Sequence, residues 1–453
     1  MSHTSRRPPG SLKAGDLAPV LASLKRANAS VAAVFPGETG DRQPVHTVYG
    51  GAHLFRSDTT RRLGAVALGV LNEYAPDAAA FARALGLPEE LAGTIRTRVV
   101  DKLRREPVED FRIDFEDGYG NRPDVEEDGH AQSAAEEVSK GLAPGTLPPF
   151  IGIRIKPMSR ELHARSLRTL DLFVTTLVRL SRQRLPPNFV VTVPKLMTTA
   201  HVAAVARACD ALERRLALRP PGTLKLELMI ETPQSILAPD GSSALRALVD
   251  AGRGRVIGAH FGTYDYTALC GITASWQHMR HAACDFAKHM MQVALAQTGV
   301  RLSDGATNIM PVAPHRAPLT DEQRRENREV VHHAWKLHFD DVTHSLVNAF
   351  YQGWDLHPAQ LPTRYAALYA FFLSARPAAT ARLRNFVEKA AQATLVGDVF
   401  DDAATGQGLL NFFVRGLNSG ALTLDEARET GLTPEELQMR SFLKILEGRR
   451  GRR

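Results

Sequence analysis

Short apolar runs alternate along this chain with longer stretches in which apolar residues recur every three or four positions. The short runs fall at residues 45–49, 111–115, 150–155, 189–193, 224–230, 256–261, 307–311 and 354–356. Their length and their β-branched and aromatic content predict strands. Residues 161–180, 199–216, 243–251 and 276–298 carry the helical spacing. Strand followed by helix, about eight times over, predicts a (β/α)8 TIM barrel rather than an open sheet. The long gap between the first two strands is expected to hold an inserted helical segment at 77–104.

The pattern changes at the ends. Residues 1–14, rich in Ser, Arg and Pro, read as a disordered basic tail, and 15–29 as a first helix. The barrel is expected over 15–361 and a helical C-terminal extension over 362–446. In that extension Pro377 should separate two helices, and 397–408 forms an acidic, glycine-containing loop. Residues 447–453 read as a second basic tail. A hydrophobic content of 44% with 23% charged residues describes a soluble globular chain able to bury a large core. No apolar stretch reaches the length of a bilayer span, and the N-terminus lacks the apolar segment of a signal peptide. Cys209, Cys270 and Cys284 show neither metal-site spacing nor a disulfide framework, so a cytoplasmic setting is expected. The net charge of +7 gathers in the two tails. That distribution argues for solvated termini rather than a nucleic-acid interface.

Candidate chemistry lies at the strand ends. Glu231 follows the run at 224–230, Asp265 follows the run at 256–261, and the run at 111–115 leads into Glu116 and Asp117. In a parallel barrel these ends converge on one mouth. Carboxylates brought together there need a cation to offset their desolvation and repulsion, which points to a divalent metal. Gly262 and Thr263 form a small polar turn that would let the backbone approach the ion and its substrate.

Several short motifs stand in a fixed order: Asp114-Phe115-Glu116-Asp117-Gly118, Ile153-Arg154-Ile155, Val193-Pro194-Lys195, Ile230-Glu231-Thr232, Phe261-Gly262-Thr263-Tyr264-Asp265, Leu356-His357-Pro358-Ala359-Gln360 and Gly397-Asp398-Val399-Phe400-Asp401. Together they resemble the HpcH/HpaI aldolase–citrate lyase β-subunit superfamily, which includes malyl-CoA lyase-like proteins. Tyr49-Gly50-Gly51 and a Pro239-Asp240-Gly241 insertion set the chain on a divergent branch. The resemblance implies a barrel of the pyruvate/phosphoenolpyruvate-binding type and a magnesium ion, with manganese as the alternative, held by Glu231 and Asp265. Arg154 would meet the substrate carboxylate or the developing oxyanion. Glu116 and Asp117 would hold the metal's waters, and Asp401 would be the acid/base, with Asp398 and Asp402 close by. Lys195 would act electrostatically rather than as a Schiff base. Arg112 and Lys156 are further basic candidates near the mouth, and His260 and His357 read as structural. The implied activity is carbon–carbon lysis or aldol formation involving a hydroxy acid or its coenzyme A thioester, with pyruvate, glyoxylate or oxaloacetate as the 2-oxo acid. A thioester would call on Arg56, Arg61 and Arg62. The alternatives are a malate-synthase-like condensing enzyme, a phosphoenolpyruvate-utilising enzyme, and an inactive barrel that binds RNA or protein. Relatives of this kind form homo-oligomers in which the extension covers a neighbour's site.

Overall fold

A computed structural model describes residues 11–37, 41–388, 394–396, 399–401 and 403–450; of 394–396, 399–401, 403–404, 446 and 450 it gives the backbone alone. The chain runs α1 (Ala14–Val34), β1 (His46–Gly51), α2 (Thr59–Tyr74), α3 (Ala78–Leu85), α4 (Glu89–Arg105), β2 (Asp110–Asp114), α5 (Asp124–Leu142), β3 (Phe150–Arg154), α6 (His163–Leu180) and β4 (Phe189–Val193). It continues α7 (Thr199–Arg215), β5 (Lys225–Ile230), α8 (Pro233–Ile236), α9 (Ala244–Ala251), β6 (Val256–Phe261), α10 (Thr263–Leu269), α11 (Ala282–Leu295), β7 (Arg301–Ala306), α12 (Asp321–Val347) and β8 (Gln352–Asp355). The extension follows as α13 (Leu361–Glu388), β9 (Thr394–Val396), β10 (Val399–Asp401), α14 (Ala403–Asn418), α15 (Leu424–Arg428), α16 (Pro434–Met439) and α17 (Phe442–Arg450). Strands β1 to β8 pair in sequence order, all parallel, and close on themselves. The expected eight-stranded barrel is therefore present.

Three expectations need correction. The seventh strand is Arg301–Ala306 rather than residues 307–311. Its outward-facing Asp304 is buried by Lys288 of α11, 3.0 Å away, and by the Ser345 hydroxyl at 2.7 Å, so a polar sequence can occupy a buried strand. Pro377 does not divide the first extension helix, because α13 runs unbroken through it. The missing amide costs one hydrogen bond, while Leu383, Phe386 and Val387 beyond it are buried and keep the helix docked. Part of the C-terminal basic run is also folded: Arg449 of α17 forks onto Glu436 at 2.7 and 2.6 Å.

The barrel interior is ionic. Arg112 points inward below the mouth and donates to Asp110 at 2.5 and 2.9 Å and to Glu227 at 2.6 Å. His260 accepts from the Trp354 indole N–H at 3.2 Å, which leaves its Nε2 to donate to Glu227, 3.3 Å away. Each charge of this layer, Asp110, Arg112 and Glu227, thus has a close partner, the condition under which charges survive in a core. Arg112 serves this interior layer rather than the mouth. His260 is structural, as expected. His357 caps a turn by accepting from the Ala359 amide at 3.1 Å, and His46 bridges Asp355 and the Glu109 amide.

Candidate active site

Alternation along β2 builds the first wall of the site. Phe111 and Ile113 face outward, with Phe111 packed on Phe55, while Asp110, Arg112 and Asp114 face the barrel axis. Asp114 then shapes the loop above it, accepting from the amides of Glu116 at 3.0 Å and Gly118 at 2.7 Å. The same carboxylate takes a two-pronged grip from Arg154 of β3, Nε at 2.7 Å and Nη2 at 2.6 Å. The Arg154 guanidinium also lies 4.8 Å from the Tyr49 ring centroid and 5.9 Å from that of Trp354. Arg154 is therefore fixed on all sides, and Nη1, 2.9 Å from Glu116 Oε2, is the nitrogen left facing the mouth. Asp114, Tyr49 and Trp354 position it. None of the three had been given that role from sequence, although Tyr49 and Trp354 stand at inward positions of β1 and β8.

Lys195 follows β4 in a left-handed conformation, φ +49°. That turn aims its amide at Glu231 Oε1, 2.7 Å away, and its ammonium into the acids. The ammonium bonds Glu116, lies 3.1 Å from Asp117 and 3.7 Å from Asp265. Burial opposes its charge, but Glu116, Glu231 and Asp117 outweigh burial and hold its pKa above the ordinary lysine value. A Schiff-base lysine must shed its proton, so this environment favours the electrostatic role expected of Lys195. Lys156 turns away from the mouth, to the Phe115 carbonyl at 2.7 Å and Glu127 at 3.3 Å.

Glu231, at the end of β5, is 1% exposed. Burial, with Glu116 and Asp265 adding repulsion against Lys195 and Arg154, pushes its pKa up to about 8. Glu116 is raised as well, by burial and then by Asp117 beside it. At Asp117 burial is overcome by Arg154 and Lys195, and the pKa falls. Gly262 has no side chain to intrude: a Cβ there would come within 2.5 Å of Glu231 Oε2. Thr263 starts α10, and its buried hydroxyl, aimed at Gly305, lacks a hydrogen-bond partner. Asp265 is two residues further along, in the first turn of α10, its side chain 38% exposed.

Five carboxylates (Asp114, Glu116, Asp117, Glu231 and Asp265) thus crowd two cations, Arg154 and Lys195. The excess negative charge, the all-oxygen donor set and the raised pKa of Glu231 fit a hard divalent cation. Among the described residues no three His, Cys, Asp or Glu side chains group as in a cage made by protein alone. Beside the mouth a cavity of about 320 Å³ opens between the ends of β6 and β7, lined by Tyr264, His278, Thr307, Asn308 and Asp341.

Other expected residues lie elsewhere. Arg61 lines a cavity of about 700 Å³ together with Pro107 and Pro148, which lead into β2 and β3, and so sits at the barrel floor, opposite the mouth. Nearby, Arg62 pairs with Asp58 and Arg56 donates to the Phe55 carbonyl. These arginines are not brought to the acidic cluster. Asp398 and Asp402 lie outside the described residues, and Asp401 is described by its backbone alone. That backbone stands in the β9–β10 hairpin, which follows the far end of α13; the helix's 28 residues span about 42 Å from the mouth.

The fold, a closed eight-stranded barrel with a C-terminal extension, is shared by a citrate lyase from Burkholderia xenovorans. The TM-score is 0.55 at 18% identity, covering 87% of this chain and 98% of that one. A Haloferax volcanii malate synthase in a magnesium/glyoxylate complex also matches (TM-score 0.46, 14% identity, 90% and 97% covered). So does the Mycobacterium tuberculosis CitE protein in complex with magnesium, acetoacetate and coenzyme A (TM-score 0.46, 14% identity, 84% and 100% covered). The barrel fold is the one this chain has in common with the Burkholderia citrate lyase. The chain belongs to the family described as a domain of unknown function, DUF6986, matched over residues 24–445. No curated protein matches it.

Proposed function

We propose that this protein is a magnesium-dependent carbon–carbon lyase or aldolase that cleaves, or forms, a hydroxy acid with a 2-oxo acid as partner. The observation that carries the reading is Glu231: a buried carboxylate among other acids, with its pKa pushed up to about 8, at the mouth of a citrate lyase-type barrel. Glu231 and Asp265 would hold the ion, and Glu116 and Asp117 its waters. When bound, the ion supplies Lewis-acid polarisation of the 2-oxo group and charge for the oxyanion that develops there.

The chain's own residues do the rest. Arg154, clamped by Asp114 and stacked on Tyr49, presents Nη1 to the substrate carboxylate with little reorganisation. Lys195 keeps its proton and steadies Glu116 and Asp117. The small Gly262–Thr263 turn would let the backbone come close to the ion and its substrate, and the cavity by Tyr264 gives room for the rest of the hydroxy acid. Asp401 is the proposed acid/base. Its hairpin follows the end of α13 remote from the mouth, so in this reading it would serve the mouth of a neighbouring copy in a homo-oligomer. The arginines at 56, 61 and 62 lie at the floor, which favours a free acid over a coenzyme A thioester. A condensing enzyme of the malate synthase kind would use the same groups in the opposite direction.

Calorimetric titration of pyruvate, glyoxylate and oxaloacetate with and without magnesium tests this. The expected outcome is binding that requires magnesium in the wild type and is lost in Glu231→Ala and Asp265→Ala. Magnesium-independent binding, or binding unchanged in both variants, would sink the reading.

A further inference from the structure

At the end of the barrel opposite the mouth, Arg301 opens β7 and Phe150 opens β3. These strands are four apart in an eight-stranded ring, so they face each other across the axis. The Arg301 guanidinium nevertheless reaches to 5.7 Å from the Phe150 ring centroid. It therefore lies across the floor of the barrel, held by its stem and by a cation–π contact. Among the described residues that ring contact is its sole partner: no carboxylate lies within ion-pair distance and no acceptor takes its N–H groups. Burial lowers its pKa despite the more distant pull of Asp41, Glu227 and Asp110, and Arg415 lowers it further.

Arg301 lines a cavity of about 240 Å³ between the floor and the C-terminal extension. Arg415, reaching in from α14, lines the same cavity and is oriented by Gln43, which accepts from its Nη1 at 2.8 Å, and by the Tyr351 ring at 5.0 Å. Gln43, Gln292 and Gln297 add amide groups, and among the described residues Asp41 is the one acid that lines the cavity. Two arginines of like charge, one with every donor unused, face one half-enclosed volume. Guanidinium forks match oxyanions, and a preorganised fork loses little on binding them.

We infer that this cavity is a second binding site, for a small oxyanion such as phosphate or a compact polycarboxylate, held between Arg301 of the barrel and Arg415 of the extension. The site is independent of the mouth. An anion there ties α14 to the barrel floor, and so couples a soluble anion to the placement of the extension that carries Asp401.

The test uses the full chain. Inorganic phosphate and, separately, citrate are titrated by calorimetry and thermal melting at constant ionic strength set with sodium chloride, in magnesium-free buffer. Expected are saturable binding and a rise in Tm for at least one anion. Arg301→Gln should weaken this by roughly tenfold or more, the weight of a hydrogen bond to a charged group. Arg301→Lys should retain part of it, and Glu231→Gln at the mouth should leave it unchanged. Hydrogen exchange of α14 should slow when the anion is bound. Absence of saturable binding in the wild type, equal binding in a folded Arg301→Gln, or loss of binding in Glu231→Gln would each overturn the inference.

Discussion

Gly262 contributes to the mouth by what it lacks. A methyl group there would lie 2.5 Å from both Cβ and Oε2 of Glu231, closer than real side-chain contacts allow. Gly262→Ala should therefore displace the Glu231 carboxylate while leaving the barrel folded. Magnesium affinity by calorimetry should fall at least tenfold with an unchanged circular dichroism spectrum, and retention of full affinity would show that Glu231 is not a ligand. Glu231 was legible as a mouth residue because a carboxylate directly behind an apolar strand is conspicuous, and Asp265 because only a short turn separates it from the end of β6. The insertion of Lys195 among the acids was not, since it depends on a left-handed backbone at one residue that no pattern announces. The same holds for the clamp on Arg154: its partners come from β1, β2 and β8, and only closure of the barrel brings them together.

At the scale of elements, the strands that read well were those whose outward faces are aliphatic. β4 and β6 match their expected limits, whereas β7 hid because Ser303 and Asp304 replace the usual apolar residues and Lys288 of α11 supplies the missing neutrality. The floor has a comparable network. Glu106, at the end of α4, receives Arg42 at 3.0 and 2.7 Å and Lys102 at 2.6 Å. Burial raises its pKa, but these partners outweigh burial and bring it down to about 2. A carboxyl whose folded pKa is depressed stabilises the fold above its unfolded value and loses that contribution as pH falls through the folded one. The window is thus about pH 4.5 down to about 2. After discounting for the solvent that Glu106 still meets, roughly 1–2 kcal/mol is at stake. Glu106→Gln should melt below the wild type at pH 6, and the gap should narrow between pH 4.5 and 2.5. A gap that stays constant with pH would assign the effect to packing instead.

Over the whole molecule, the barrel and its extension followed from the alternation of short and long patterns, because eight repeats of strand and helix leave few other closures. The distribution of function between the two ends did not follow. Arg61 and Arg62 come soon after β1 in sequence, yet the chain descends the outside of the barrel before α2 begins, and sequence proximity to a strand end misplaces them. α1 stands apart in another way, with no buried residue along its 21 positions and Leu17, Val20, Leu21 and Leu24 exposed. Deleting residues 1–34 should shift Tm by no more than about 1 °C, and a larger drop would mean that α1 is part of the cooperative unit. Lys195 has a consequence of the same breadth. Its ammonium threads the acids with a resident positive charge, so the mouth does not depend on an imported ion to avoid flying apart. Under the proposed magnesium chemistry, chelation should then abolish turnover while leaving the melting temperature unchanged, and the ion should be able to come and go from a finished molecule.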